Sequence, residues 1–342
     1  MTTRTPTFLL ALAATTALST ATSAAADGEL NLYSSRHYDT DERLYSDFTE
    51  ATGITINRIE GKADELIARM QAEGANSPAD ILLTVDTSRL ERAKDVGVLQ
   101  SIDSAVLEDK IPANLQDSDN QWFGFSQRAR IIFYDKAEVA NPPMDYLSLA
   151  DPQYKGMVCH RSSSNVYGQT LLAAIIENHG AEVAKAWAEG MVANFARDPE
   201  GGDTDQLRGI VSGECDISVA NTYYFSRALR REVKGLTADI DTIGWIFPAQ
   251  DAEGAHMNLS GGGVAAHAPN RDNAIAFMEY LASDQAQQYF SAGNDEYPTV
   301  SRTPLSESVA KLGAYKADKV DLSKVAKNVP AAQKIFNQVG WK

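Results

Sequence analysis

The chain is poor in the residues that build the commonest metal and nucleophile sites. Of 342 residues, two are cysteines and five are histidines. His160, His179, His256 and His267 have no metal-ligand spacing with one another, so an imidazole-rich zinc site is not expected from them. They read as structural or solvent-exposed. No H-E-x-x-H sequence or catalytic-triad motif occurs, and "SGGG" at 260–263 has the wrong flanking order for a nucleophile elbow. That run reads instead as a close backbone approach at a strand entrance. An exported hydrolase pairing a serine with a histidine therefore has only residue counts behind it. Basic charge is also scarce: the formal net charge is −15. Nucleic acid and anionic membrane surfaces would be repelled, which leaves a cation or a small neutral molecule as the expected ligand. Beyond residue 26 no apolar run approaches the ~20 residues needed to span a bilayer, so a membrane-embedded protein is not expected. Internal repeats and heptads are missing too.

What is present begins with "MTTRTPTFLLALAATTALSTATSAAADGEL". Arg4, the apolar run from Phe8, and small residues at Ala24 and Ala26 read as a signal peptide over 1–26, cleaved before Asp27. No cysteine lies near that point, so a lipid anchor is not expected. The remaining length exceeds what one core usually organises, so two domains are expected. In an exported protein the lone cysteine pair, Cys159 and Cys215, favours a disulfide over a metal site or a nucleophile. Each cysteine precedes a tyrosine by eight residues, Tyr167 and Tyr223, so the bridge would tie two tyrosine-bearing segments together.

Strand and helix patterns alternate. "ELNLYSS", "ITINRIEG" and "ADILLTVD" read as strands, separated by helices in "DTDERLYSDFTEATG" and "ADELIARMQAEG" and followed by "SRLERAKDVGVL". This is an α/β pattern on a largely parallel sheet. "WFGFSQRARIIFYD" reads as a long strand crossing between lobes. "CDISVAN" reads as a strand feeding the helix "TYYFSRALRRE", and "RDNAIAFMEYLASDQAQQYF" as one amphipathic helix. "EGGDTD" and "QDSDNQ" lack the spacing of a calcium loop and read as solvated acidic loops; "RALRRE" reads as a solvated helix face.

Most of the tyrosines, Tyr33, Tyr45, Tyr134, Tyr280 and Tyr289 among them, need only packing to explain them. Tyr38, Tyr167, Tyr223 and Tyr224 differ, because all four fall at strand-to-helix transitions. In open α/β sheets ligands collect beyond the carboxyl ends of the strands, where helix N-termini favour anions such as phenolates. A free phenol titrates near 10, so a metal must drive off its proton at neutral pH. Fe(III), hard and highly charged, suits phenolate oxygen best. Ca(II) and Mg(II) call for carboxylates and water, and Zn(II) for histidine or cysteine. Arg227, three and four residues after the tyrosine pair, would lie on their side of the helix and offset charge there. An aromatic cage for an organic cation such as a polyamine or thiamine is the competing reading.

"SSRHYDTD", "RSSSNVYGQT", "GECDISVANTYYFSR" and "NLSGGGVAAHAPN" resemble the periplasmic ferric-iron-binding proteins of ABC importers, in the branch without an obligatory carbonate. The likeness covers essentially the whole chain after residue 26. It implies an α/β, two-lobed periplasmic binding protein with a hinge, one lobe from 27–126 plus 253–300 and the other from 127–252 plus 301–342. It implies iron ligation by Tyr38, Tyr167, Tyr223 and Tyr224. His37 matches a position that ligates in some members and stands back in others, and is left open. Arg36, Arg128 and Arg227 match arginines that support the ligands. The expected cargo is Fe(III), with Fe(II) left open, carried by a non-enzymatic periplasmic monomer to an inner-membrane ABC permease.

Overall fold

Leu30 and Leu32, both buried, turn one face of the first strand, β1 (Gly28–Ser34), into the core, and β1 lies inside the sheet, one strand from its edge. The computed structural model describes Met1, residues 28–36 and residues 38–342, so the signal-peptide segment and His37 lie outside the described residues, Met1 apart. β1 pairs in parallel with β2 (Ile54–Glu60) and β3 (Ile81–Thr84). Helix α1 (Glu42–Thr52) connects the first two, burying Leu44 and Phe48, and stops where Gly53 takes φ 75° and donates its N–H to Thr49 O at 2.8 Å. That left-handed conformation strains any residue with a Cβ. Helices α2 (Ala63–Glu73), α3 (Thr87–Asp95) and α4 (Ala105–Lys110) complete this half.

β4 (Phe123–Asp135) is the long strand that joins the two halves. Its first part, Phe123–Ala129, pairs antiparallel with β8; Arg130–Tyr134 pair antiparallel with β6. The second half adds β5 (Val158–Cys159), α5 (Val166–His179), α6 (Ala181–Asn194), α7 (Asp203–Ser212), β6 (Ile217–Asn221), α8 (Thr222–Arg230) and β7 (Ile243–Ile246). The chain then returns through β8 (Met257–Val264), α9 (Arg271–Leu281), α10 (Asp284–Asn294), β9 (Tyr297–Pro298), α11 (Glu307–Ala310) and α12 (Leu322–Val339). The strand order is β2-β1-β3-β8-β4-β6-β5, with β7 and β9 also on β4. One apolar cluster draws on β1–β3, β8, α9 and α10; two others draw on β4–β7, α5–α8 and α12. β4 is thus the chain's bridge between separate cores. Among the described residues no helix is long and apolar enough to cross a membrane.

Four expectations need correction. The sheet is mixed rather than largely parallel, because β8 runs antiparallel to both β3 and β4. The glycine run lies inside β8, not at its entrance: a Cβ on Gly261 or Gly263 would overlap the carbonyls of Phe123 and Gln121, so the close approach is real but central. The single helix over 271–290 is two, since Ser283 leaves helical geometry and its hydroxyl accepts the Ala286 N–H at 3.3 Å, starting α10 afresh. The acidic runs are not simply solvated: Asp203 is fully buried at the start of α7 and Asp117 is buried against Lys94 at 2.6 Å. The basic run is exposed at Arg230, Arg231 and Glu232 as expected, and Arg230 also forks onto Asp295 at 2.8 and 2.9 Å.

Cys159 and Cys215 form the expected disulfide, closing a 56-residue separation. In the chain-entropy model a loop of this length contributes about 4 kcal/mol as an upper value. It pins β5 to the turn before β6, the two segments that lead into α5 and α8.

Candidate metal centre

Each of the four tyrosines is delivered by a helix start or the turn before one. Tyr38 follows β1 and precedes the short 3-10 turn Asp39–Asp41. Tyr167 sits in the first turn of α5, where the Asn165 side chain accepts its N–H at 3.1 Å. Tyr223 and Tyr224 occupy the first turn of α8, behind Asn221. The fold brings all four together. The Tyr167 and Tyr223 hydroxyls are 3.3 Å apart, the Tyr38 ring meets Tyr223 edge-on at 6.2 Å, and the Tyr223 and Tyr224 rings lie 4.2 Å apart. Tyr38 and Tyr223 belong to different halves of the chain, so the site lies where the halves meet.

Tyr167 and Tyr223 are buried, while Tyr38 and Tyr224 are half-buried. Burial pushes the Tyr38 and Tyr223 phenols well above the ordinary range; the charge that Tyr167 would carry pushes the same way. Burial also pushes Tyr224 up, with Asp203 adding to it. Without cargo the phenols of Tyr38, Tyr223 and Tyr224 therefore keep their protons at neutral pH, and a Lewis acid must displace them before they can ligate.

The arginines expected beside the tyrosines are there. Arg36 binds Asp41 at 2.7 and 3.0 Å and Glu296 at 3.4 Å, with its guanidinium 4.8 Å from the Tyr38 ring centre. Arg128 is buried against the Ser260 hydroxyl at 3.1 Å and the Val85 carbonyl, and faces Tyr167 at 5.3 Å. Arg227 lies 5.5 Å from the Tyr223 ring and 5.8 Å from Tyr224. His37 lies outside the described residues. Two further arginines, Arg130 and Arg161, also face Tyr167 and were not singled out from sequence. A signal existed for one: on a strand, Arg130 shares the face of Arg128 two residues before it.

A hydrogen-bonded tie crosses between the halves beside Tyr167. On β8, Asn258 accepts the Thr87 N–H at 3.1 Å and donates to Asp86 at 2.8 Å and to the Thr170 hydroxyl at 3.2 Å, one turn beyond Tyr167. Among the described residues no group of three or more His, Cys, Asp or Glu is arranged to hold a metal.

Residues 76–320 match the family model described as bacterial extracellular solute-binding protein, and the chain belongs to that family. Its similarities within the family are specific. It is 49% identical over 315 residues to iron uptake protein A1 of Synechocystis sp., covering 92% of this chain and 88% of that protein. A solved Trichodesmium protein in complex with iron and citrate is 49% identical, with TM-score 0.87 over 92% of this chain and all of that one. The ferric binding protein of Campylobacter jejuni gives TM-score 0.86 at 41% identity, again over 92% of this chain and 100% of that chain.

Proposed function

We propose that this is a periplasmic solute-binding protein that captures Fe(III) on tyrosinate ligands and hands it to an inner-membrane ABC permease. Tyr38, Tyr167, Tyr223 and Tyr224 are the proposed ligands, with Arg36, Arg128 and Arg227 supporting them. The observation that carries the reading is the convergence of phenol groups, typified by the 3.3 Å approach of the Tyr167 and Tyr223 hydroxyls, inside a ring of arginines. While protonated, the two hydroxyls share a hydrogen bond; once ionised, their oxygens would repel one another unless a cation lay between them. The names and bound ligands of the similar iron proteins support the same cargo. The proposed lobes, 27–126 with 253–300 and 127–252 with 301–342, would close on the ion about β4 and β8, and the protein would act as a monomer. Solute-binding proteins are not an enzyme class.

The geometry speaks against an organic cation. A cage would present ring faces around a cavity, whereas here guanidiniums already lie over the faces of Tyr38 and Tyr167. Fe(III) with four phenolates carries one net negative charge, which arginines stabilise; a polyamine or thiamine would meet their repulsion. Thermal unfolding distinguishes the two. Ferric citrate at about a hundredfold excess over Kd is expected to add about 2.7 kcal/mol of stability, while spermidine and thiamine add none. Stabilisation by either organic cation without any by iron would overturn the assignment.

A further inference from the structure

Beneath Tyr167 lies a buried charge cluster that the ligand assignment does not use. Asp203 is fully buried and accepts Arg130 Nη1 at 3.0 Å, Arg161 Nη1 at 3.1 Å and the backbone N–H of Asn221 at 2.8 Å. Arg130 is also fixed by the Asn221 side-chain oxygen at 3.1 Å and the Val219 carbonyl at 3.0 Å. Asn221 begins α8, so one carboxylate anchors two guanidiniums and the start of the helix that carries Tyr223 and Tyr224. The guanidinium carbons of Arg161, Arg130 and Arg128 stand 5.4, 6.0 and 5.3 Å from the Tyr167 ring centre.

The cluster leans positive at Tyr167. Three guanidiniums face its ring, and Asp203 is the carboxylate bound directly to two of them, while Asp86 and Glu296 act on Arg128, and Asp205 on Arg161, without an ion pair. Nε of each of the three arginines is buried with no hydrogen-bond partner among the described residues. Surplus positive charge in a largely buried setting is costly, so a further negative charge beside it would be favoured. The ferric tetraphenolate supplies one.

We propose that Arg130 and Arg161, held by Asp203, are positioning residues that balance the negative charge of the filled site and so set its affinity for Fe(III) and the reduction potential of the bound ion. The proposal rests on the ferric phenolate reading above. Cations close to the site stabilise the filled anionic complex against the empty neutral one. They favour the ferrous complex still more, because it carries one more negative charge, and so hold the potential up. Asp203 keeps the guanidiniums turned to the Tyr167 face instead of pairing elsewhere.

Arg161 is the practical position to change, because its side chain is 17% exposed while Arg130 is 2% exposed, and Asp203 retains Arg130 and Asn221 when Arg161 is altered. The test compares wild type, Arg161→Gln and Arg161→Lys in the full mature chain. Three quantities are read: Fe(III) affinity by citrate competition, the potential of the bound iron, and thermal unfolding without metal. Arg161→Gln is expected to bind about tenfold more weakly and to shift the potential to more negative values, whereas Arg161→Lys, keeping the charge, stays near wild type in both. Metal-free Arg161→Gln should unfold no lower than metal-free Arg161→Lys, because it sheds a cation that the empty site leaves in excess. Wild-type affinity and potential in Arg161→Gln, or equal impairment in Arg161→Lys, would overturn the proposal. If Arg161→Gln does not fold, Arg161→Met takes its place with the same expectations. Failure of the wild type itself to take up Fe(III) would instead sink the underlying iron reading.

Discussion

Protein carrying Tyr223→Phe and Tyr224→Phe together is expected to fold normally and yet lose more than about a thousandfold in Fe(III) affinity. Loss of a hydrogen-bonding partner outside a ligand set already costs about ten- to hundredfold in metal affinity, and two anionic ligands exceed that. Folding should survive because each substitution removes one oxygen and leaves the ring. Tyr223 still packs edge-on to Tyr38 and face-tilted to Tyr224, and what its hydroxyl loses is bonding to the neighbouring phenols of Tyr167, at 3.3 Å, and Tyr224. Binding followed by chelator competition, beside thermal unfolding of the metal-free protein, separates the two effects. An aromatic cage would keep most of its affinity in the double variant, because the ring faces remain.

The second large effect is on pH. In the metal-free protein the phenols of Tyr38, Tyr223 and Tyr224 are all displaced upward from 10, so each carries its proton throughout the neutral range. Fe(III) binds the deprotonated form, so each of these phenols that ligates releases one proton. Affinity must then rise with pH and fall in acid, by about tenfold per pH unit for each phenol displaced, at fixed free Fe(III). The slope should persist across pH 6 to 8 without a plateau, since no ligand of this set finishes ionising there. Metal-buffered titrations at several pH values would measure it. A flat profile through neutrality would mean that the donors are already ionised or are not phenols. Folding of the metal-free protein should show no matching dependence there, because these phenols are protonated in both folded and unfolded chains below about pH 10.

Local signals carried much of this architecture. Leu30 and Leu32 alternate as a half-buried strand must, Gly53 marks a helix end, and a lone cysteine pair in an exported chain leaves few alternatives to a disulfide. The four tyrosines were legible because each sits where a strand hands over to a helix, a position fixed by nearest neighbours in sequence. The surroundings of those tyrosines were not. Asp203 looks like part of a polar loop until folding places it against Arg130, 73 residues away, and Arg161, 42 residues away. Pairings of that range leave no periodicity behind. The break between α9 and α10 was missed for a different reason: Ser283 followed by Asp284 is a capping signal, but the apolar spacing on either side runs on as if one helix continued. The antiparallel placement of β8 depends on where the chain returns from the other half, which its own sequence does not encode.

Optical titration of the metal-free mature protein with ferric citrate at neutral pH tests the central claim most directly. Phenolate coordination predicts a visible charge-transfer band that grows to a plateau at one iron per chain and is lost in the Tyr223→Phe, Tyr224→Phe variant. Saturating uptake of iron with no such band would show that the phenols do not hold the ion, and the account given for this site would fail.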